Sequence, residues 1–142
     1  MAGKSIKVLY TARTRTLGGR EGSAQSSDGA FNVRLSPPGS GEPGTNPEAL
    51  FGIGYSACFM SSMRIIGATQ KVEIPPDLAV KAKVSLGHVI GRNSAFALAV
   101  LLEVSLPGMD RTEAQKLIDD AYEVCAYSQA THGNIEAVIT LV

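Results

Sequence analysis

Cysteine is scarce in this chain, two residues in 142, and net charge is absent, 13 basic side chains balancing 13 acidic ones. Without a charge excess the whole chain lacks the electrostatic footprint of a nucleic-acid binder or a polybasic membrane surface. The first residues, MAGKSIKVLYTART, contain no apolar core of roughly 7 to 15 residues and no small-residue cleavage site, so no export signal is read and cytoplasm is the expected compartment. The longest apolar stretch, 49 to 63, is interrupted by Gly52, Gly54, Ser56, Ser61 and Ser62. It falls short of the roughly 20 residues that span a bilayer and reads as a buried helix. His88 and His132 are the two histidines, and neither a CxxC nor an HxxxH spacing occurs. A zinc site and a thioredoxin-like exchange site are therefore not expected, and nothing calls for a cofactor. GYSAC at 54 to 58 lacks the second glycine of the GxSxG elbow of serine hydrolases.

The charge that is present is unevenly placed. Lys4, Lys7, Arg13, Arg15, Arg20 and Arg34 stand against Glu21 and Asp28 in residues 1–35, which leaves +4 there and −4 in the remainder. Such a split suits a solvated basic face, or a basic arm docking on an acidic body or a partner subunit. The length suits one domain over 1–142, able to bury about two thirds of the surface its unfolded chain would expose.

Along that domain, residues 1–35 alternate polar and apolar types from Ile6 to Leu35 between Gly18-Gly19 and Asp28-Gly29, which predicts three short antiparallel strands and a type I′ hairpin at Asp28-Gly29. Residues 36–46, SPPGSGEPGTN, hold three prolines and three glycines and read as an irregular linker. Residues 47–142 form the helix and sheet body. Asn46 as N-cap, Pro47 in the first helical position and Glu48 in the first turn predict a helix running to about Gly67. That helix is apolar nearly all the way round, so it needs more cover than one small sheet provides. Leu78 to Leu86 and Phe96 to Leu106 alternate with period two as a long antiparallel hairpin around 91 to 93. Asp110 with Glu113 resembles a capping box opening a second helix over 111 to 125, and 134 to 142 reads as a last strand. The order predicts an α+β fold with largely antiparallel sheets.

The two cysteines carry the chemistry. Cys58 and Cys125 stand 67 positions apart in helix-patterned segments, and in a chain with no secretory signal they suit redox chemistry or inert packing more than a structural disulfide. Only a thiolate is nucleophilic, and burial of Cys58 among apolar neighbours would raise its pKa, so a cation must offset it. Arg20, in the tight GGR turn at 18 to 20, is a candidate, with Glu48 able to hold it as a bidentate pair. Glu48 and Cys58 lie ten residues apart, about 15 Å along a straight helix. Arg20 bridges that gap, the helix starts later or bends, or part of the set comes from another subunit. Cys125 falls at a helix C-terminus, where the dipole disfavours a thiolate, and suits a resolving role or a small buried hydrophobe. His132, seven residues beyond Cys125, allows a Cys/His hydrolase pair in principle, a loop histidine being the plainer reading.

NPEALFGIGYSACF at 46 to 59 and EVCAYSQATHGN at 123 to 134, with GGR at 18 to 20 and DGAFNVRLSPPG at 28 to 39, resemble the organic hydroperoxide resistance proteins within the wider group of osmotically inducible protein C. The resemblance covers essentially the whole chain. It implies antiparallel sheets around a long central helix in an intertwined homodimer, and a thiol-dependent peroxidase in which Cys58 matches the peroxidatic and Cys125 the resolving cysteine. Arg20 and Glu48 match the pair that organises the reactive sulfur. It further implies an organic hydroperoxide as substrate, a Cys58 to Cys125 disulfide, and reduction by a dithiol such as a lipoylated protein or dihydrolipoamide. Two positions depart from the family pattern: Ala126 stands where proline is common, which is expected to loosen the turn after the second helix, and His132 where arginine often stands. A broader peroxidase of the osmotically inducible type and a redox sensor that oxidises once without turnover are the alternatives.

Overall fold

Glycine shapes the N-terminal strands. The computed structural model describes residues 3–142, which form two compact units, one ending at Pro47 and one comprising Glu48–Val142. In the first, β1 (Thr14–Leu17), β2 (Ser23–Ser26) and β3 (Asn32–Arg34) make an antiparallel sheet in that order. Between β1 and β2 the chain turns through Gly18 and Gly19, at φ 72° and 57°, into a short 3₁₀ helix, Gly19–Glu21. Gly22 completes the turn: a Cβ there would lie 1.7 Å from the Leu17 carbonyl oxygen.

Three strands were predicted here and three are present, with two corrections. The first begins at Thr14 instead of Ile6, and Ile6, Val8, Leu9 and Tyr10 are exposed outside any strand. Alternation gives a strand only where a neighbour completes its ladder, and none of the described strands pairs with this segment. The Asp28-Gly29 turn is also not type I′, which needs positive φ at both residues. Only Gly29 has it (φ 72°); the turn runs from Ser26 to Gly29, closed by the Gly29 N–H on the Ser26 carbonyl at 3.1 Å. The Asp28 carboxylate accepts from the Ser26 hydroxyl and the Ala30 N–H, which hold it below its ordinary pKa.

Residues 36–46 carry no regular element beyond a single parallel bridge between Leu35 and Thr45. Yet they are not slack. The Ser36 N–H donates to the Thr45 carbonyl at 2.9 Å, the Thr45 N–H to the Arg34 carbonyl at 2.9 Å, and the Ser36 hydroxyl to the Glu42 carbonyl at 3.1 Å. The segment is a closed loop of the N-terminal unit with its two ends side by side.

In the second unit α1 (Pro47–Gln70) runs one turn beyond the predicted end. Gly67 does not terminate it; Gly67 lets Ile74 pack close, since a Cβ would lie 2.8 Å from the Ile74 Cδ1. The helix instead ends at Lys71, at φ 56°, with the Val72 N–H on the Gly67 carbonyl at 2.8 Å and the Lys71 N–H on the Ala68 carbonyl at 3.4 Å. That is a Schellman closure with lysine in the place glycine usually takes. Next come β4 (Ala79–Val89) and β5 (Arg92–Ser105), antiparallel from Ala79 opposite Ser105 to His88 opposite Phe96. Then follow α2 (Arg111–Val124), capped by Asp110 accepting from the Glu113 N–H at 3.1 Å, a short α3 (Ala126–Thr131), and β6 (Glu136–Leu141).

The class is α+β, as read from the sequence. The predicted antiparallel pairing is corrected at one edge: β6 lies parallel to β5, Ala99 opposite Glu136 and Val104 opposite Leu141. The connection carries two helices, and a helical crossover returns the chain in parallel where a tight turn would return it antiparallel. Val100, Leu102, Val104 and Leu106 of the predicted β5 face and its following turn are buried with Tyr55, Phe59 and Met63 of α1 and Leu117, Ile118 and Ala121 of α2. Each such side chain contributes about 1.5 to 3 kcal/mol by leaving water.

By length and composition α1 could cross a membrane, its most apolar 18-residue window having a mean hydropathy of 1.3. Its stripe of Gly52, Tyr55, Phe59, Ser62 and Met63 is instead buried in this protein core. The rest is less covered: Ile53 and Ile65 are exposed, and 28% of that window is buried.

Candidate functional site

Cys58 sits in the fourth turn of α1, on the margin of its buried stripe, and is half-buried. Cys125 is fully buried at the junction of α2 and α3. Its extended backbone (φ −70°, ψ 120°) breaks one helix and starts the next: its N–H donates to the Ala121 carbonyl at 3.0 Å and its own carbonyl accepts from the Gln129 N–H at 2.9 Å. Both thiols are free, and their sulfurs stand 3.5 Å apart. A disulfide bond is about 2.05 Å, so the pair is in van der Waals contact and short of bonding.

The electrostatics at Cys58 oppose one another. Burial pushes its thiol above the ordinary value, the Tyr127 backbone N–H pulls it down, the adjacent Cys125 thiol raises it, and the Ala126 N–H again lowers it; the balance is upward. The sequence anticipated the desolvation at Cys58. The two N–H donors were not anticipated, because no element was predicted between the second helix and the last strand, where α3 lies. Cys125, placed by the sequence at a helix C-terminus, is also the N-cap of the following helix.

The other expected residues are distributed as follows. Glu48 is in the first turn of α1, half-buried. Because α1 is unbroken by any other element from Pro47 to Gln70, the later start considered for it does not occur, and Glu48 and Cys58 stand about 15 Å apart along it. Arg20 is the middle residue of the 3₁₀ helix between β1 and β2 and is exposed. His132 pairs with Tyr122, Nδ1 to phenol oxygen at 2.9 Å.

Around Cys58 the apolar residues divide into two groups. Tyr55, Phe59 and Met63 are fully buried core. Phe51 is half-buried and Tyr127 is 38% exposed, and with Tyr55 they form an aromatic cluster with centroids 5.7 to 6.0 Å apart. Tyr127 seats its phenol on Gly54, one turn before Cys58: a Cβ on Gly54 would be 2.9 Å from the phenol oxygen. Beneath this cluster the Tyr55 phenol is 2.9 Å from the Ser128 hydroxyl and 3.4 Å from that of Thr131, all buried. Ser128 and Thr131 were missed; only the small and polar makeup of YSQAT, free of proline and glycine, signals the helical turn that carries them.

The chain belongs to the OsmC-like proteins, whose family model matches residues 39–140. The organic hydroperoxide resistance protein of Xanthomonas axonopodis pv. citri is 45% identical over 139 residues, 95% of this chain and 96% of that protein. The crystal structure of OhrB of Bacillus subtilis aligns with a TM-score of 0.87 at 36% identity, covering 95% of this chain and 100% of that one. An organic hydroperoxide resistance protein from Elizabethkingia anophelis, crystallised with thiocyanate bound, aligns at 0.84 and 38% identity, covering 96% and 98%.

Proposed function

We propose that this protein is a thiol-dependent peroxidase that reduces organic hydroperoxides to alcohols. The observation that carries the reading is the pair of free sulfurs 3.5 Å apart, one half-buried and one fully buried. The names of its relatives supply the substrate class. The Cys58 thiolate attacks the distal oxygen of ROOH; the O–O bond breaks, the alkoxide takes a proton and leaves as ROH, and Cys58 becomes a sulfenic acid. Cys125 then displaces the hydroxyl, giving a Cys58 to Cys125 disulfide and water. A dithiol of the lipoyl class restores both thiols by exchange and leaves as its own disulfide.

Arg20 is assigned the charge that keeps Cys58 ionised and steadies the departing alkoxide, and Glu48 the role of orienting Arg20. The upward push of burial on Cys58 supports that need for a cation. The reduced thiol pair suits the cytoplasm, and a second copy of the chain, completing a homodimer, suits the uncovered apolar side of α1.

The test is removal of tert-butyl hydroperoxide with dihydrolipoamide. Cys58→Ser is expected to abolish turnover and Cys125→Ser to form the sulfenic acid but recycle poorly. One stoichiometric oxidation without turnover in the wild type would mark a sensor instead. Phe51 and Tyr127 offer apolar surface beside Cys58, so cumene hydroperoxide is expected to be used more efficiently than hydrogen peroxide. Equal efficiency with the two, or a fully active Cys58→Ser variant, contradicts the assignment.

A further inference from the structure

Polar groups in a protein core demand an explanation, because a buried hydroxyl without a partner costs about 1 to 3 kcal/mol and a satisfied one contributes only about 1. Tyr55, Ser128 and Thr131 place three hydroxyls in the core, Tyr55 and Ser128 with no exposed surface at all. Their protons can be assigned in one direction. Thr131 donates to the Tyr127 carbonyl at 2.9 Å, Tyr55 donates to Thr131 at 3.4 Å, and Ser128 donates to Tyr55 at 2.9 Å. Every hydroxyl then donates once. An apolar trio would give comparable stability, so what this chain of bonds adds is direction.

The direction concerns the cysteines. Tyr55 precedes Cys58 by three residues, one turn of α1, and Ser128 follows Cys125 by three, in the helix that Cys125 caps. The Tyr55 to Ser128 bond thus joins the two cysteine-bearing segments one turn from each sulfur. Tyr127, seated on Gly54 and stacked beside Tyr55, also holds α3 against the same stretch of α1. A thiol pair 3.5 Å apart has about 1.5 Å to close before it bonds, and a misplacement of about 1 Å can slow an intramolecular step by about a hundredfold.

We infer that Tyr55 and Ser128 are positioning residues for disulfide closure: their bond sets how fast Cys125 captures oxidised Cys58, without entering the first oxidation. The inference rests on the cycle proposed above. In the step it governs, the Cys125 sulfur forms the S–S bond, the Cys58 S–O bond breaks, and the departing hydroxyl leaves with the Cys125 proton as water.

The test uses Tyr55→Phe, Ser128→Ala and the double variant, the last leaving no hydroxyl of the pair unpartnered. In single turnover with tert-butyl hydroperoxide, loss of the Cys58 thiol is expected to proceed within about twofold of wild type. Disulfide closure is expected to be about tenfold slower, with a matching rise in Cys58 sulfinic acid under excess peroxide, read by mass spectrometry. The double variant should regain thermal stability relative to Ser128→Ala but not its closure rate, a separation that a purely structural bond would not give. Closure at the wild-type rate in the folded isosteric Tyr55→Phe and in the double variant overturns the inference. Oxidation by oxidised dithiothreitol tests it independently of peroxide: once the mixed disulfide has formed on Cys58, the variants should close to the Cys58 to Cys125 disulfide about tenfold more slowly. If wild type closes with dithiothreitol but not with peroxide, the cycle fails and the positioning stands; if it closes with neither, both fail.

Discussion

At the scale of single residues the protein turns on what surrounds one sulfur. Burial raises Cys58, and the N–H groups of Tyr127 and Ala126 lower it without reversing the balance. A raised pKa means the thiol stays protonated at pH values where an ordinary cysteine ionises, so reactivity at neutral pH requires a further positive charge. If Arg20 supplies it, Arg20→Met will move the midpoint of Cys58 alkylation upward by about 1 to 3 pH units. Each unit lowers the thiolate fraction at pH 7 about tenfold. Iodoacetamide rates measured against pH check this, and an unmoved midpoint removes Arg20 from its role.

The two sulfurs were legible in the sequence because cysteine is rare and its chemistry narrow. Tyr127 and Ser128 were not, since serine and tyrosine near a helix end have many ordinary uses. Their meaning here comes from Gly54 and Tyr55, 73 positions away from their partners in each case. Tyr55, Phe59 and Met63, apolar neighbours of Cys58 along α1, are sealed in the core, which leaves Phe51 and Tyr127 as the apolar groups able to meet a substrate.

At the scale of elements, period and punctuation carried most of the fold. The β5 face, the hairpin and the Asp110 cap follow from residues that act locally. The parallel placement of β6 does not, because alternation says nothing about which neighbour a strand chooses. The end of α1 was misplaced because Gly67 was read as a stop when it serves close packing.

α3 also revises the account of Ala126. Position 126 is the first residue of a helix, where proline's fixed φ fits and its missing N–H breaks no intrahelical bond. Ala126 starts a helix where a turn was expected, and it directs an extra N–H toward Cys58. Ala126→Pro is expected to raise stability by about 0.4 to 1 kcal/mol through the unfolded chain. It should also shift the Cys58 alkylation midpoint upward by removing the smaller of the two donors. Denaturant unfolding and the alkylation profile read the two effects separately, and a lowered midpoint would contradict the second.

At the scale of the whole molecule, the long helix is the unfinished part. Ile53 at 66% exposure and Ile65 at 60% are more apolar surface than one face of a settled core helix leaves open. Two copies joined along α1 would cover it, so sedimentation at micromolar concentration is expected to give a dimer, and Ile53→Asp with Ile65→Asp to shift it toward monomer. A monomeric wild type would refute this.

The 3.5 Å gap between Cys58 and Cys125 also links chemistry to heat resistance. Closing it ties together residues 67 apart in sequence, and shortening the freedom of so long a segment disfavours the denatured ensemble by about 4 kcal/mol. The oxidised form should therefore melt roughly 10 °C above the reduced one in a calorimeter. Equal melting points would mean the crosslink strains the native state by as much as it restricts the unfolded chain. If the difference is found, the reductant must work against that extra cohesion in every cycle, and the cell's supply of reducing equivalents becomes a control on how durable this protein is.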